Sequence, residues 1–139
     1  MKKTKLTRSE NMSRIKSKNT TIEMILRKEL WKRNLRYRLH DRKIFGHPDI
    51  IFKKKKIAIF CDSEFWHGKK FLEGEIPNNN TEFWIKKLTK NIARDIVVNN
   101  QLHEQGWIVL RYWEKDIRKN AIKIADEIEQ ILKENYADS

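Results

Sequence analysis

Two acids and a histidine, close together in the chain, are the residues best able to do chemistry. Asp49 ends the segment Gly46-His47-Pro48-Asp49 and stands before the apolar run Ile50-Ile51-Phe52. Asp62 follows a second apolar run, Ile57-Ala58-Ile59-Phe60-Cys61, and four lysines, Lys53 to Lys56, separate the two runs. If Lys55 and Lys56 form a two-residue hairpin turn, Asp49 lies opposite Asp62 on one face of a sheet. A three-residue turn puts Cys61 there instead. Two carboxylates at neighbouring strand ends are hard oxygen ligands for Mg²⁺, an ion that keeps several of its waters when protein-bound. Such an ion activates water and neutralises charge building on a phosphodiester. Acids also collect wherever an apolar strand meets solvent, so the pair alone does not define a site.

The stretch Asp62-Ser63-Glu64-Phe65-Trp66-His67-Gly68-Lys69-Lys70 adds to the case. An imidazole titrates near neutrality, so His67 can serve as general base or acid. Phe65 and Trp66 can stack on bases or wedge between them and kink a duplex. The same rings would serve equally as cover for a small sheet.

The elements that must position these residues are legible from periodicity. Thr20-Thr21-Ile22-Glu23 fits a capping box, and Ile22, Ile25, Leu26 and Leu30 follow at helical spacing, which predicts a helix from about Thr21 to Lys32. Leu35, Tyr37 and Leu39 alternate with Arg36, Arg38 and His40, as in a half-exposed strand. The two apolar runs are β-branched and apolar at every position, as strands buried on both faces are. Residues 62–80 read as a polar loop long enough to be functional. A helix is expected from about Thr81 to Glu104, with Ile85, Leu88, Ile92 and Ile96 on its buried face and Gly106 as its stop. Trp107 to Trp113 reads as a strand. A last helix, from about Arg118 to Glu134, carries Ala121, Ile124, Ala125, Ile128, Ile131 and Leu132 on one stripe. The order fits one α/β domain over residues 19–139.

Ahead of it, residues 1–18 form a basic arm in which Lys2, Lys3, Lys5, Arg8, Arg14, Lys16 and Lys18 face only Glu10. Such a segment is expected to order against DNA and to be a disordered tail without it. Over all 139 residues, Lys and Arg outnumber Asp and Glu by 31 to 19, a net charge of +12, which favours a polyanionic partner. No run of apolar residues is long enough to span a membrane, and no hydrophobic signal region follows the basic amino terminus. A cytoplasmic protein, with no membrane partner, is expected. The single cysteine, Cys61, excludes an internal disulfide and any zinc site built on two thiolates.

With these residues in view, the chain resembles the very short patch repair endonucleases, which nick DNA beside the thymine of a T:G mismatch. The likeness runs from about Thr7 to Ile131. It rests on Thr7-Arg8-Ser9-Glu10-Asn11-Met12, Thr21-Ile22-Glu23, Pro48-Asp49, Phe60-Cys61-Asp62 and Phe65-Trp66-His67. Thr81-Glu82-Phe83-Trp84, Lys90-Asn91-Ile92-Ala93-Arg94-Asp95, Gly106-Trp107-Ile108-Val109-Leu110 and Trp113-Glu114 complete it.

The resemblance implies a restriction-endonuclease-like α/β fold, a central mixed sheet flanked by helices. It implies Mg²⁺ held by Asp49 and the Cys61 backbone carbonyl with Asp62 beside it, and His67 handling the water proton. Glu23 and Asp95 match acids that support the site, though Glu23 taken alone is explained by its capping box. Phe65, Trp66 and Trp84 match aromatics inserted beside the mismatch, and Met12 a residue reaching the opposite groove. Arg8, Arg14, Lys16 and Lys69 would meet phosphates. The implied partner is double-stranded, mismatched DNA, approached by a monomer in the bacterial nucleoid, with repair proteins acting after the nick. One departure stands out. Family members hold a structural zinc at positions occupied here by Glu64, Lys69, Phe71 and Lys115, which cannot rebuild that site, so no zinc is expected.

Overall fold

Helix α1 (Thr21–Lys32) forms where the capping pattern and helical spacing predict it, and buries Ile22, Leu26 and Leu30 as one stripe. It is followed by β1 (Arg38–Leu39), β2 (Ile50–Phe52), β3 (Ile57–Asp62), a four-residue helix α2 (Lys69–Leu72), the long helix α3 (Thr81–Glu104), β4 (Ile108–Trp113) and the terminal helix α4 (Glu114–Tyr136). The computed structural model describes residues 21–63, 69–75 and 79–136. The expected arm, with Arg8, Met12, Arg14 and Lys16, lies outside the described residues, as do Glu64, Phe65, Trp66 and His67.

The strands lie in the order β1-β2-β3-β4, the first two pairings antiparallel and β3-β4 parallel. A parallel pair needs a long crossover, and α3 supplies it. Side chains alternate between the faces of the sheet. Ile50, Phe52, Ile57 and Ile59 join α1 and α4 in one core. Ile51, Ala58 and Phe60 join Val98 and Leu102 of α3, with Trp107, in the other. The two apolar runs are therefore covered on both sides, which is why they carry no polar position. The result is a mixed sheet flanked by helices.

Several expectations are corrected. The β2-β3 connection is neither a two- nor a three-residue turn. Lys53–Lys55 form a 3₁₀ turn and Lys56 closes it in the left-handed region at φ 54°. Phe52 pairs with Ile57 and Ile50 with Ile59, a register in which neither Asp62 nor Cys61 is the ladder partner of Asp49. A tight primed turn would need positive φ at one or both central residues, which a lysine pair supplies poorly. The loop 62–80 contains α2, and the first strand shrinks to two residues.

Helix α3 turns a different face inward. Trp84, Leu88, Val98 and Leu102 are buried, whereas Ile96 is 55% exposed. The inward stripe passes through half-buried Asn91 and Asp95, polar residues that simple hydrophobic periodicity assigns to solvent. Helix α4 begins at Glu114, ahead of the expected Arg118, and Asn120 interrupts it with non-helical φ/ψ (−132°, 35°). The early turn buries Ile117 completely.

Candidate active site

Three donors converge where α1, β1 and β2 meet. Glu23 sits in the first turn of α1, beside the apolar stripe, and is only 1% exposed. Its Oε2 lies 2.9 Å from His40 Nε2 and accepts from Arg27 Nη1 at 3.2 Å. His40 follows β1 directly, in the left-handed region at φ 47°, and its backbone N–H donates to the Asp49 carbonyl at 3.3 Å. The Asp49 N–H donates to the carbonyl of Ile59, although the register partner of Ile59 is Ile50. This one-residue displacement at the strand start brings the Asp49 carboxylate to the α1 side of the sheet. There Asp49 Oδ2 accepts the Cys61 N–H at 2.8 Å. One donor atom from each of Glu23, His40 and Asp49 lies within 4.8 Å of the others.

The approach to Asp49 is held from below by Gly46. At φ +81° it uses backbone freedom that other residues lack, and a Cβ there would come 2.4 Å from Val98 Cγ1 on α3. The loop thus lies directly against the helix, with fully buried Pro48 leading into Asp49.

Burial pushes the Asp49 carboxyl up to about 6; the Cys61 N–H and His40 oppose the rise, while Glu23 and Asp62 add to it. Burial likewise raises the Cys61 thiol well above its ordinary value, so this cysteine is no ready thiolate. Two carboxylates and an imidazole confined together in a poorly solvated corner suit a divalent cation. It would offset the repulsion between the acids and restore the charged form of Asp49. The residues therefore fit a metal ion, with carboxylates suited to Mg²⁺ and all three donors to Mn²⁺.

Asp62 does not join this group. The alternation along β3 places it on the α3 side, 3% exposed, where Arg111 Nη1 donates to its two carboxylate oxygens at 3.1 and 3.2 Å. Arg111, in the middle of β4, also donates through Nε to Asn99 Oδ1 at 2.7 Å and lies 3.7 Å from Asp95 Oδ1. Its guanidinium sits 4.0 Å over the Phe60 ring. Adjacent residues at the end of β3 thus anchor two clusters. The Cys61 N–H fixes Asp49 on one face, and Asp62 fixes Arg111 on the other.

Sequence reading had Asp49, Glu23 and Asp95 as site residues but missed His40, Arg111 and Asn99. A signal for Arg111 existed: a charge inside an otherwise apolar strand needs a buried partner. His40 carried none, because it read as the exposed half of an alternating strand. Among the other expected residues, Trp84 is 8% exposed and meets Phe83 edge-to-face at 5.0 Å between centroids. Phe83 itself is half exposed. Lys69 Nζ lies 5.6 Å over the Trp113 ring.

A mixed sheet between helices, with Asp49 at the start of a central strand and Glu23 and His40 beside it, fits the restriction-endonuclease-like class of nucleases. Residues 2–73 match the sequence model of the family described as "DNA mismatch endonuclease Vsr". The chain belongs to this family and is a DNA endonuclease. It is 47% identical over 120 residues to "Type II nicking enzyme V.HpaIIP" of Haemophilus parainfluenzae, covering 86% of this chain and 85% of that one. With "Type II nicking enzyme V.NmeDIP" of Neisseria meningitidis serogroup C it shares 43% over 128 residues, 91% of this chain and 86% of the relative. "DNA mismatch endonuclease Vsr" of Escherichia coli K12 is 37% identical over 123 residues, 88% of this chain and 78% of its own length. Among the described residues, no helix is long and apolar enough to cross a membrane.

Proposed function

We propose that this chain is a divalent-metal-dependent endonuclease that nicks one strand of double-stranded DNA at a T:G mismatch. The observation that carries the reading is the Glu23–His40–Asp49 donor group, buried at Glu23 and half-buried at His40 and Asp49, in a Vsr-family chain of net charge +12. Asp49 and the Cys61 carbonyl would hold the ion, with Mg²⁺ the proposed resident. When bound, a divalent ion supplies Lewis acidity toward the phosphodiester and lowers the pKa of water. His67 takes the proton of the attacking water, and Glu23 supports Asp49 from α1. Asp95 and Asp62 act together through Arg111, which keeps the end of β3 in place ahead of His67. In this reading Asp62 supports the site from the α3 side instead of ligating the metal.

Recognition falls to the remaining residues. Phe65, Trp66 and Trp84 form the wedge, with Trp84 turning out of its packing against Phe83. A T:G wobble pair deforms differently from T:A, so a wedge reads the lower cost of distortion. Residues 1–18 close around the duplex ahead of a nuclease domain at 19–139, Met12 entering the opposite groove. Arg8, Arg14, Lys16 and Lys69 neutralise phosphates. No structural zinc is proposed, since Glu64, Lys69, Phe71 and Lys115 offer neither thiol nor imidazole. The protein is proposed to act as a monomer in the cytoplasm, at the nucleoid, leaving its nick to other repair proteins.

A second reading has a specific support: the Haemophilus and Neisseria relatives are named Type II nicking enzymes. In it the chemistry is unchanged and the DNA target differs. A nicking assay with Mg²⁺ on matched and T:G duplexes separates the two, with Asp49→Ala and His67→Ala as controls. Nicking confined to the T:G duplex and lost in both variants is expected. Equal cleavage of both duplexes removes the mismatch assignment, and cleavage surviving Asp49→Ala removes the proposed site.

A further inference from the structure

We propose that His40 is a nitrogen donor of the metal site, so that this site binds Mn²⁺ or Co²⁺ more tightly than the Mg²⁺ proposed as its working ion. The inference rests on the metal-dependent reading above and assigns a residue to it that neither the motifs nor the family resemblance marked.

The geometry is the first support. Two adjacent ligands on an octahedral ion with bonds of about 2.1 Å stand about 3 Å apart. His40 Nε2 and Glu23 Oε2 are 2.9 Å apart, and the Asp49 carboxylate completes a set within 4.8 Å. In the metal-free chain the short contact is a hydrogen bond or ion pair; with an ion present the same atoms occupy neighbouring coordination positions.

The backbone is the second support. A non-glycine residue at φ 47° is uncommon, and strained conformations persist where the surrounding structure enforces them. Here the His40 N–H is tied to the carbonyl of Asp49 itself. Imidazole and carboxylate are therefore brought together at the two ends of the β1–β2 connection, residues 40–49. The His40 side chain is 14% exposed, which leaves it little freedom to point elsewhere.

The donor chemistry then sets the preference. Carboxylate and water suit Mg²⁺ and Mn²⁺ alike, whereas an added imidazole favours the first-row transition metals, Mn²⁺ least among them and Co²⁺ more. Losing His40 should weaken Mn²⁺ by at least about 10- to 100-fold, the range for losing a group that only orients a metal ligand, and Mg²⁺ much less.

The test is pulsed electron paramagnetic resonance of Mn²⁺ bound to the full chain, alongside Mn²⁺ and Mg²⁺ titration calorimetry. Wild type should show nitrogen modulation on Mn²⁺. His40→Asn, which tolerates the left-handed backbone, should lose the modulation and weaken Mn²⁺ selectively. His67→Gln controls for the other histidine expected near the ion and should keep the modulation. Mn²⁺ bound to wild type without nitrogen modulation overturns the proposal, as does modulation that survives His40→Asn. Failure of the underlying reading looks different: Mn²⁺ affinity would then be unchanged in Asp49→Ala, which overturns the metal site and the proposal together.

Discussion

Asp49→Asn should make the metal-free protein more stable, by an amount that grows with pH. Burial raises the folded-state Asp49 carboxyl from 3.8 to about 6, with Glu23 of α1 and Asp62 of β3 pushing the same way and His40 and the Cys61 N–H opposing. The ionised form is therefore disfavoured in the fold relative to the unfolded chain. Below the unfolded pKa both states are protonated and the penalty vanishes. It grows as pH rises from about 4 to 6 and is complete above the folded pKa. Two pKa units correspond to about 3 kcal/mol, of which about 2 kcal/mol should develop between pH 4 and pH 7.5. Asparagine keeps an oxygen able to accept the Cys61 N–H, so the variant removes the charge with little loss of hydrogen bonding. Urea denaturation in chelator, for wild type and variant across that pH range, measures the gap directly. A gap that stays constant with pH, or a variant less stable at pH 7.5, would refute the electrostatic account of this corner. Added Mn²⁺ should raise the midpoint of wild type and leave that of Asp49→Asn nearly unchanged.

Three further outcomes follow from the packing. Gly46→Ala combines a left-handed φ with a Cβ 2.4 Å from Val98 Cγ1, so it should cost about 2–4 kcal/mol in chemical denaturation. The companion Val98→Ala should recover part of that loss. Arg111→Leu leaves Asp62, 3% exposed, without the guanidinium and should cost about 3–5 kcal/mol. Adding Asp62→Asn to it should restore much of the stability, and a double mutant no better than the single would deny the coupling. Ile128→Ala removes a fully buried side chain from the α4 side of the core and should cost about 2–5 kcal/mol, with thermal melting as the readout.

Much of the frame was legible in the chain. Thr20 to Leu30 carried the signals of α1, and the residues from Thr81 to Glu104 gave the length of α3. The uninterrupted apolar runs around Ile51 and Ile59 announced strands covered on both faces, because only a doubly buried strand tolerates no polar position. Motif and spacing also singled out Asp49, and resemblance singled out Glu23 and Asp95. These are local properties: propensity, period and residue type do not depend on distant parts of the chain.

What the sequence could not decide was which side chains meet. The hairpin register depended on how four lysines turn, and the 3₁₀ turn closed by Lys56 left neither Asp62 nor Cys61 as the ladder partner of Asp49, although the Cys61 N–H still reaches its carboxylate. A one-residue displacement in the ladder at Asp49 then chose the face of the sheet, because side-chain direction reverses with every residue. That choice gave Asp49 to Glu23 and His40, and left Asp62 to Arg111. The α3 face turned inward for the same kind of reason. Asp95 and Asn99 are held by an arginine that reaches them only once β4 has paired with β3. Periodicity could predict a helix with an apolar stripe, but the buried charge that rotates it comes from another strand. Local sequence thus determined the elements and named Asp49; the long-range pairing of strands alone decided that His40 would stand beside it.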